Sequence, residues 1–172
     1  YRMENRIEVR LGDGLQILSK EDDITAVTIC GMGGELISRI LEAGYNGGHL
    51  NGRERLILQP NVAEHFVREW LMNHSYQIVE ETVVSDNHRL YEIIVAEPVE
   101  ERVEYTELEL KYGPILLQQP SELSVAKWNR MNRKNKEILE QLQKSKTPQL
   151  EKIEQFEKAF NELQGVIDRA NS

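Results

Sequence analysis

The chain has 172 residues, 40% apolar and 29% charged, with a net charge of -8 and one cysteine. That length suits one domain plus an appendage, and the lone cysteine excludes an internal disulfide framework. No run of about 18 apolar residues offers a membrane span, and an acidic chain binds nucleic acid only through a local basic patch. The start carries no signal-peptide pattern, and a reducing, cytoplasmic setting fits.

Residues 7–11 alternate apolar and polar, which predicts a half-buried strand. The turn "GDG" (Gly12, Asp13, Gly14) and a short helix over 15–18 follow. Residues 26–30 are a continuous apolar run, read as a strand covered on both faces as in parallel sheets, with Cys30 a small core residue. After "GMGG" (Gly31, Met32, Gly33, Gly34), residues 35–43 have helical spacing. Residues 55–61, "RLILQPN", are a second buried strand stopped by Pro60, and 62–73 form a helix with Phe66, Val67, Trp70 and Leu71 on one side. Residues 76–98 give two strands around a polar turn at 85–89, a hairpin. Strand–helix alternation ending in a hairpin predicts an α/β fold, mostly parallel with one antiparallel strand.

From Val99 the pattern changes to a polar connector with a short helical piece, a Gly113-Pro114 stop and then Pro120. Residues 124–145 and 148–170 then carry apolar stripes at three-and-four spacing, joined by "KSKTP". Val125, Trp128, Met131, Ile138 and Leu142 mark the first, and Leu150, Ile153, Phe160, Leu163 and Ile167 the second. They predict an antiparallel helical hairpin. Three parts result: an α/β domain over 1–98, a connector over 99–120 and a coiled-coil-like hairpin over 121–172.

Ligands of open parallel sheets bind beyond the carboxyl ends of the strands. "GDG", "GMGG", "QPN" and the hairpin turn "SDNHR" all fall on that edge. Asp13 either accepts a hydrogen bond from a bound nucleobase or cofactor or caps the helix that follows. Gly31 to Gly34 either admit a flat ligand to the backbone or serve a tight turn and close helix–sheet packing. There is no G-x-G-x-x-G and no Walker lysine, so a phosphate cradle is not supported. Gln59 and Asn61 either read a base edge or cap the next helix, and Asp86 and His88 stand at the rim. The four histidines show no metal-ligand spacing, so no metal is expected.

Residues 127–146 hold seven cations (Lys127, Arg130, Arg133, Lys134, Lys136, Lys144, Lys146) against Glu137 and Glu140. A basic helix near the ligand edge can contact RNA phosphates, with Lys127, Arg130, Arg133 and Lys134 the candidates. The alternative is a solvated face paired with the second helix. Trp128 is expected in the core.

The ordered set "GDGL", "ICGMGGELI", "LILQPN", "NHRLYEII" and "ELELKYGPILL" resembles the TrmK family. These are bacterial S-adenosylmethionine-dependent tRNA methyltransferases that modify N1 of adenine 22. The resemblance implies a Rossmann-like class I methyltransferase domain with a C-terminal helical domain, S-adenosylmethionine as cofactor and tRNA as substrate. It implies that Asp13, with Gly14, Gln59 and Pro60, lies at the cofactor. Gly31, Met32, Gly33, Gly34 and Asn61 would lie where the methyl group meets the base, with Gly31 also touching the cofactor. Many exocyclic-amine methyltransferases have Asn or Asp followed by Pro-Pro-aromatic at that loop, and this chain does not. The family's glycine-rich cofactor loop and ribose-binding acid are expected upstream, so these residues alone are expected to be inactive. The contrasting reading is a non-catalytic Rossmann-like scaffold dimerising through the helical hairpin.

Overall fold

The computed structural model describes residues 6–145 and 149–171. Lys146 and Pro148, both in the expected link between the last two helices, fall outside the described residues.

The described residues form a four-stranded sheet, β1 (Ala26–Met32), β2 (Arg55–Pro60), β3 (Tyr76–Asp86) and β4 (Arg89–Pro98), in the order β1-β2-β4-β3. β1 and β2 are parallel, with Val27 opposite Leu56 and Ile29 opposite Leu58. β4 runs antiparallel to both β2 and β3. Only β4 is therefore reversed, and β1, β2 and β3 end on one edge. This is the expected mostly parallel sheet with one antiparallel strand. Asn87 (φ 46°) and His88 (φ 62°) are both left-handed, as the two-residue turn of a tight hairpin requires.

α1 (Gly34–Asn46) buries Ile37, Leu41 and Gly44, and α2 (Glu64–Asn73) buries Val67, Trp70 and Leu71. These stripes pack on Val27, Ile29, Leu56, Leu58, Ile78, Ile94 and Ala96 to form one core. The spacing is that of a helix with one apolar face. Phe66, expected on that face, is exposed.

The connector holds two short helices, α3 (Glu107–Tyr112) and α4 (Pro114–Gln118). Thr106 and Glu109 close a capping box at the start of α3, and Pro114 occupies the first turn of α4, where no backbone donor is needed. α5 (Glu122–Gln143), capped by Ser121, packs against α6 (Leu150–Ala170). Their core joins Trp128, Leu163, Val166 and Ile167 to Tyr112, Leu116 and Val83 of β3. The helical part is thus seated on the sheet through Val83.

One expectation is corrected. Residues 7–11 form no strand and are exposed, since alternation needs a neighbouring strand and none of the described residues pairs with them. Among the described residues β1 is covered on one face, and its alternate residues Ala26, Thr28 and Cys30 are exposed. Cys30 is exposed among the described residues and not in their core. The short helix expected after "GDG" is present as a 3-10 helix, Gly14–Ile17, that buries Leu15.

Candidate active site

The glycine loop is built where β1 hands over to α1. Its ladder with β2 slips between Cys30 and Met32, which leaves Gly31 as a bulge at φ +80°. The Gln59 side chain locks that bulge. Its Oε1 accepts from the Gly31 N–H at 2.8 Å, while its Nε2 donates to the Pro60 carbonyl at 3.1 Å and to Asn61 Oδ1 at 3.2 Å. The Asn61 N–H donates to the Met32 carbonyl at 2.7 Å, and the Gly34 N–H donates to the Val62 carbonyl at 2.8 Å. Two loops far apart in sequence are thereby stitched into one edge.

The glycines answer to different needs. A Cβ on Gly34 would sit 2.1 Å from the Ala63 carbonyl oxygen, so Gly34 serves close packing. A Cβ on Gly31 would meet nothing within 4 Å, and one on Gly33 only Val62 Cγ2 at 3.9 Å. Gly31 and Gly33 thus face open space, with Met32 37% and Val62 63% exposed beside them. A flat ring has room against that backbone.

Asp13 lies in a shallow recess of about 230 Å³ between its own turn and α1, shared with Leu36, Arg39, Ile40 and Gly44 and not lined by the glycine loop. Its carboxylate makes no capping hydrogen bond, so the capping alternative fails and the group stays exposed. Gly14, at φ +54°, brings the turn against Ile40, to which a Cβ would come within 3.2 Å. Pro60 is buried and presents no surface for a cofactor, and the Gln59 amide is engaged within the protein. Both are better placed to hold the edge than to touch a ligand. The residues that fit a bound adenosyl cofactor are the open backbone at Gly31 and Gly33 and the free Asp13 carboxylate.

On the far side of the edge, Asp86 and His88 are exposed, and the His88 carbonyl accepts from Arg130 Nη1 at 2.9 Å. The backbone of His88, rather than its ring, ties the turn to α5. Arg133 and Lys134 are exposed on the same helix. Lys127 is corrected. Its ammonium is buried and bonded to Glu64 and, at 2.7 Å, to Glu92, so it is unavailable to a phosphate. Trp128 is in the core as expected, 1% exposed.

Lys127 belongs to a network that the sequence did not disclose. Arg68 and Glu81 have fully buried side chains; Arg68 Nε donates to Glu81 at 2.7 Å and its Nη2 to Glu92. The second Glu81 oxygen accepts from the Ile115 N–H at 2.9 Å, and Arg68 Nη1 donates to the Leu110 carbonyl at 3.2 Å. Gly113, at φ +91°, leaves room for the pair, since its Cβ would lie 2.6 Å from Glu81 Oε2. Burial works against the Arg68 charge, but Glu92 and Glu81 outweigh it and hold the guanidinium above its ordinary pKa. Burial likewise pushes the Glu92 carboxyl up, and Arg68 and Lys127 overcome this and hold it below the ordinary carboxylate range. The available signal was Glu92 standing in the inward alternation with Ile94 and Ala96.

Among the described residues, no cluster of His, Cys, Asp or Glu can hold a metal ion, and no helix is long and apolar enough to cross a membrane.

The sheet order, the glycine edge and the helix layer define a Rossmann-like methyltransferase domain with a helical appendage. Known structures with this fold include a putative tRNA (m1A22) methyltransferase of Streptococcus pneumoniae in complex with S-adenosyl-L-methionine. It is 33% identical at a TM-score of 0.83, over 96% of this chain and 70% of that one. The chain belongs to the TrmK family, whose model, tRNA (adenine(22)-N(1))-methyltransferase, matches residues 1–165. The Bacillus subtilis (strain 168) protein of that name is 36% identical, over 96% of this chain and 71% of its own length. The crystal structure of the B. subtilis enzyme superposes at a TM-score of 0.84 with 34% identity, over 96% of this chain and 72% of that one.

Proposed function

We propose that this chain belongs to an S-adenosylmethionine-dependent enzyme that methylates N1 of an adenine in tRNA, position 22 by family membership. The observation that carries the reading is the open glycine backbone at Gly31 and Gly33, braced by Gln59 and Asn61 beside exposed Met32. S-adenosylmethionine supplies an electrophilic methyl group on a sulfonium centre. Adenine N1 has an in-plane lone pair that attacks without help, unlike an exocyclic amine whose lone pair is conjugated into the ring. The N1–carbon bond forms as the sulfur–carbon bond breaks, so the positive charge passes from the sulfonium to the methylated base and the cofactor leaves as a neutral thioether. The task left to the protein is alignment.

In this reading Gly31 and Gly33 let the purine lie against the backbone, and Met32 packs on a ring face. Asn61 fixes Met32 through its N–H, and its side-chain oxygen accepts from Gln59. Asp13 accepts from the adenine amino group of the cofactor, and Gly14 brings the Asp13 turn onto α1. Gln59, Pro60 and Gly34 hold the edge in shape. Arg130, Arg133 and Lys134 offer charge to the RNA backbone, with Asp86 and His88 at the rim. A cytoplasmic setting, where tRNA is found, goes with this role.

The test is methyl transfer to tRNA by the full-length protein, with calorimetry for S-adenosylmethionine. Gly31→Val places a branched side chain in the open space and strains the bulge at φ +80°, and the transfer rate is expected to fall by roughly 100-fold. A Gly31→Val protein that methylates tRNA at the wild-type rate removes the glycine edge from the reaction.

A further inference from the structure

Beside the glycine edge runs a groove of about 560 Å³ that the alignment of the target base does not use. One wall is Asn61 and Val62, the second is Arg89 and Leu90 at the start of β4, and the third is the α5 face with Arg130 and Lys134. It opens from the reaction edge, because Asn61 both lines it and holds the Met32 carbonyl at 2.7 Å.

We propose that this groove is the subsite for the tRNA strand adjoining the target adenine, taking one flanking nucleotide with its phosphate on Arg89, Arg130 and Lys134. The inference rests on the methyltransferase reading and deepens it. Two observations point to that occupant.

The first is charge. The carboxylates Glu64 and Glu92 are already bonded to Lys127, and no ion pair is found for Arg89, Arg130 or Lys134 among the described residues. Arg130 is held in place by its bond to the His88 carbonyl, and Lys134 stands one helical turn further on. Four cations line the groove; Lys127 is neutralised by Glu64 and Glu92, while Arg89, Arg130 and Lys134 have no ion pair among the described residues, in a chain whose net charge is -8.

The second is the floor. Val62 is 63% exposed, and Leu90 and Met131 are half-buried, so the cations surround an apolar patch. A nucleotide drawn out of a folded RNA presents this combination, an anionic phosphate on a flat apolar ring. Arg89 enters the RNA surface by this geometry. Arg133, one residue along α5 from Lys134, does not line the groove.

The experiment measures equilibrium binding of tRNA to the full-length protein across a salt series, together with KM and kcat for methyl transfer and the affinity for S-adenosylmethionine. Arg89 and Lys134 are exposed, so Arg89→Ala and Lys134→Ala leave the fold intact. The double variant is expected to weaken tRNA binding roughly tenfold and to flatten the salt slope by about 0.7 for each lost contact. KM for tRNA rises while the affinity for S-adenosylmethionine is unchanged. Lys158→Ala, which removes an exposed charge from α6, is expected to change none of these. An unaltered slope and KM in the double variant overturns the groove. So does an equal loss in Lys158→Ala, which would mean diffuse attraction rather than a subsite. A wild-type protein that binds tRNA through these residues but transfers no methyl group overturns the methyltransferase reading and leaves the groove standing.

Discussion

Gly33 and Gly34 stand side by side and are constrained from opposite directions, Gly34 by the protein and Gly33 by nothing within it. Gly34→Ala drives a Cβ into the Ala63 carbonyl, 2.1 Å away, at the point where the Gly34 N–H bonds to Val62. It is expected to cost about 2–3 kcal/mol in denaturant unfolding, as overpacking against backbone does. Gly33→Ala meets only Val62 Cγ2 at 3.9 Å, at an ordinary φ of -71°, and is expected to stay within about 1 kcal/mol of wild type. If a purine lies against this backbone, Gly33→Ala nevertheless loses methyl transfer. A Gly33→Ala protein with normal stability and normal activity shows that no ligand comes this close. The sequence displayed the glycines but not this division of labour. Spacing cannot say which glycine meets a neighbouring loop and which meets open space.

Among the elements, the long helices were legible because an apolar stripe is a property of the helix alone. Trp128, Leu163 and Ile167 lie where their spacing put them. Residues 7–11 misled because alternation names two faces without naming a partner strand, and the apolar run of β1 is covered on one face among the described residues. The seam between α5 and α6 holds one feature that periodicity treats as an error. Asn132 is 4% exposed; its Nδ2 donates to Gln164 Oε1 at 2.9 Å, and its Oδ1 has no hydrogen-bond partner. A buried polar residue on a helical seam fixes register at a cost in stability. Asn132→Leu is therefore expected to raise unfolding stability by about 1 kcal/mol, since it removes an unsatisfied buried acceptor. The readout is the denaturant midpoint. A fall in that midpoint would mean that the Asn132–Gln164 bond outweighs the orphaned oxygen.

For the whole molecule, the decisive join is the network of Arg68, Glu81, Glu92, Lys127 and Glu64, which ties α2, β3, β4 and α5 together and reaches the connector backbone. It was illegible in the sequence because its partners lie 13 to 63 residues apart, and a single charge in a strand or helix does not announce its counterpart. Glu92 is the hub, shared by Arg68 and Lys127, so its loss takes one carboxylate from each of two buried cations and leaves them Glu81 and Glu64. Glu92→Gln is expected to cost about 3–5 kcal/mol near neutral pH, as breaking a buried pair does. The pH dependence follows from the sign of the shift. Arg68 and Lys127 hold the folded-state Glu92 carboxyl below its ordinary value of 4.5. Its contribution is therefore complete above the unfolded value and is lost as pH falls through the folded one. Thermal unfolding should show wild type well above Glu92→Gln at neutral pH, with the gap closing only below about pH 4.5. In a Trp70→Phe background, Trp128 fluorescence separates release of the helical hairpin from unfolding of the sheet, because that ring lies in the hairpin core one residue from Lys127 and Trp70 lies in the sheet core. A gap that stays constant down to acid pH would show that the Glu92 charge contributes nothing and that the hairpin is held on the sheet by its other contacts, Val83 and Leu90 among them.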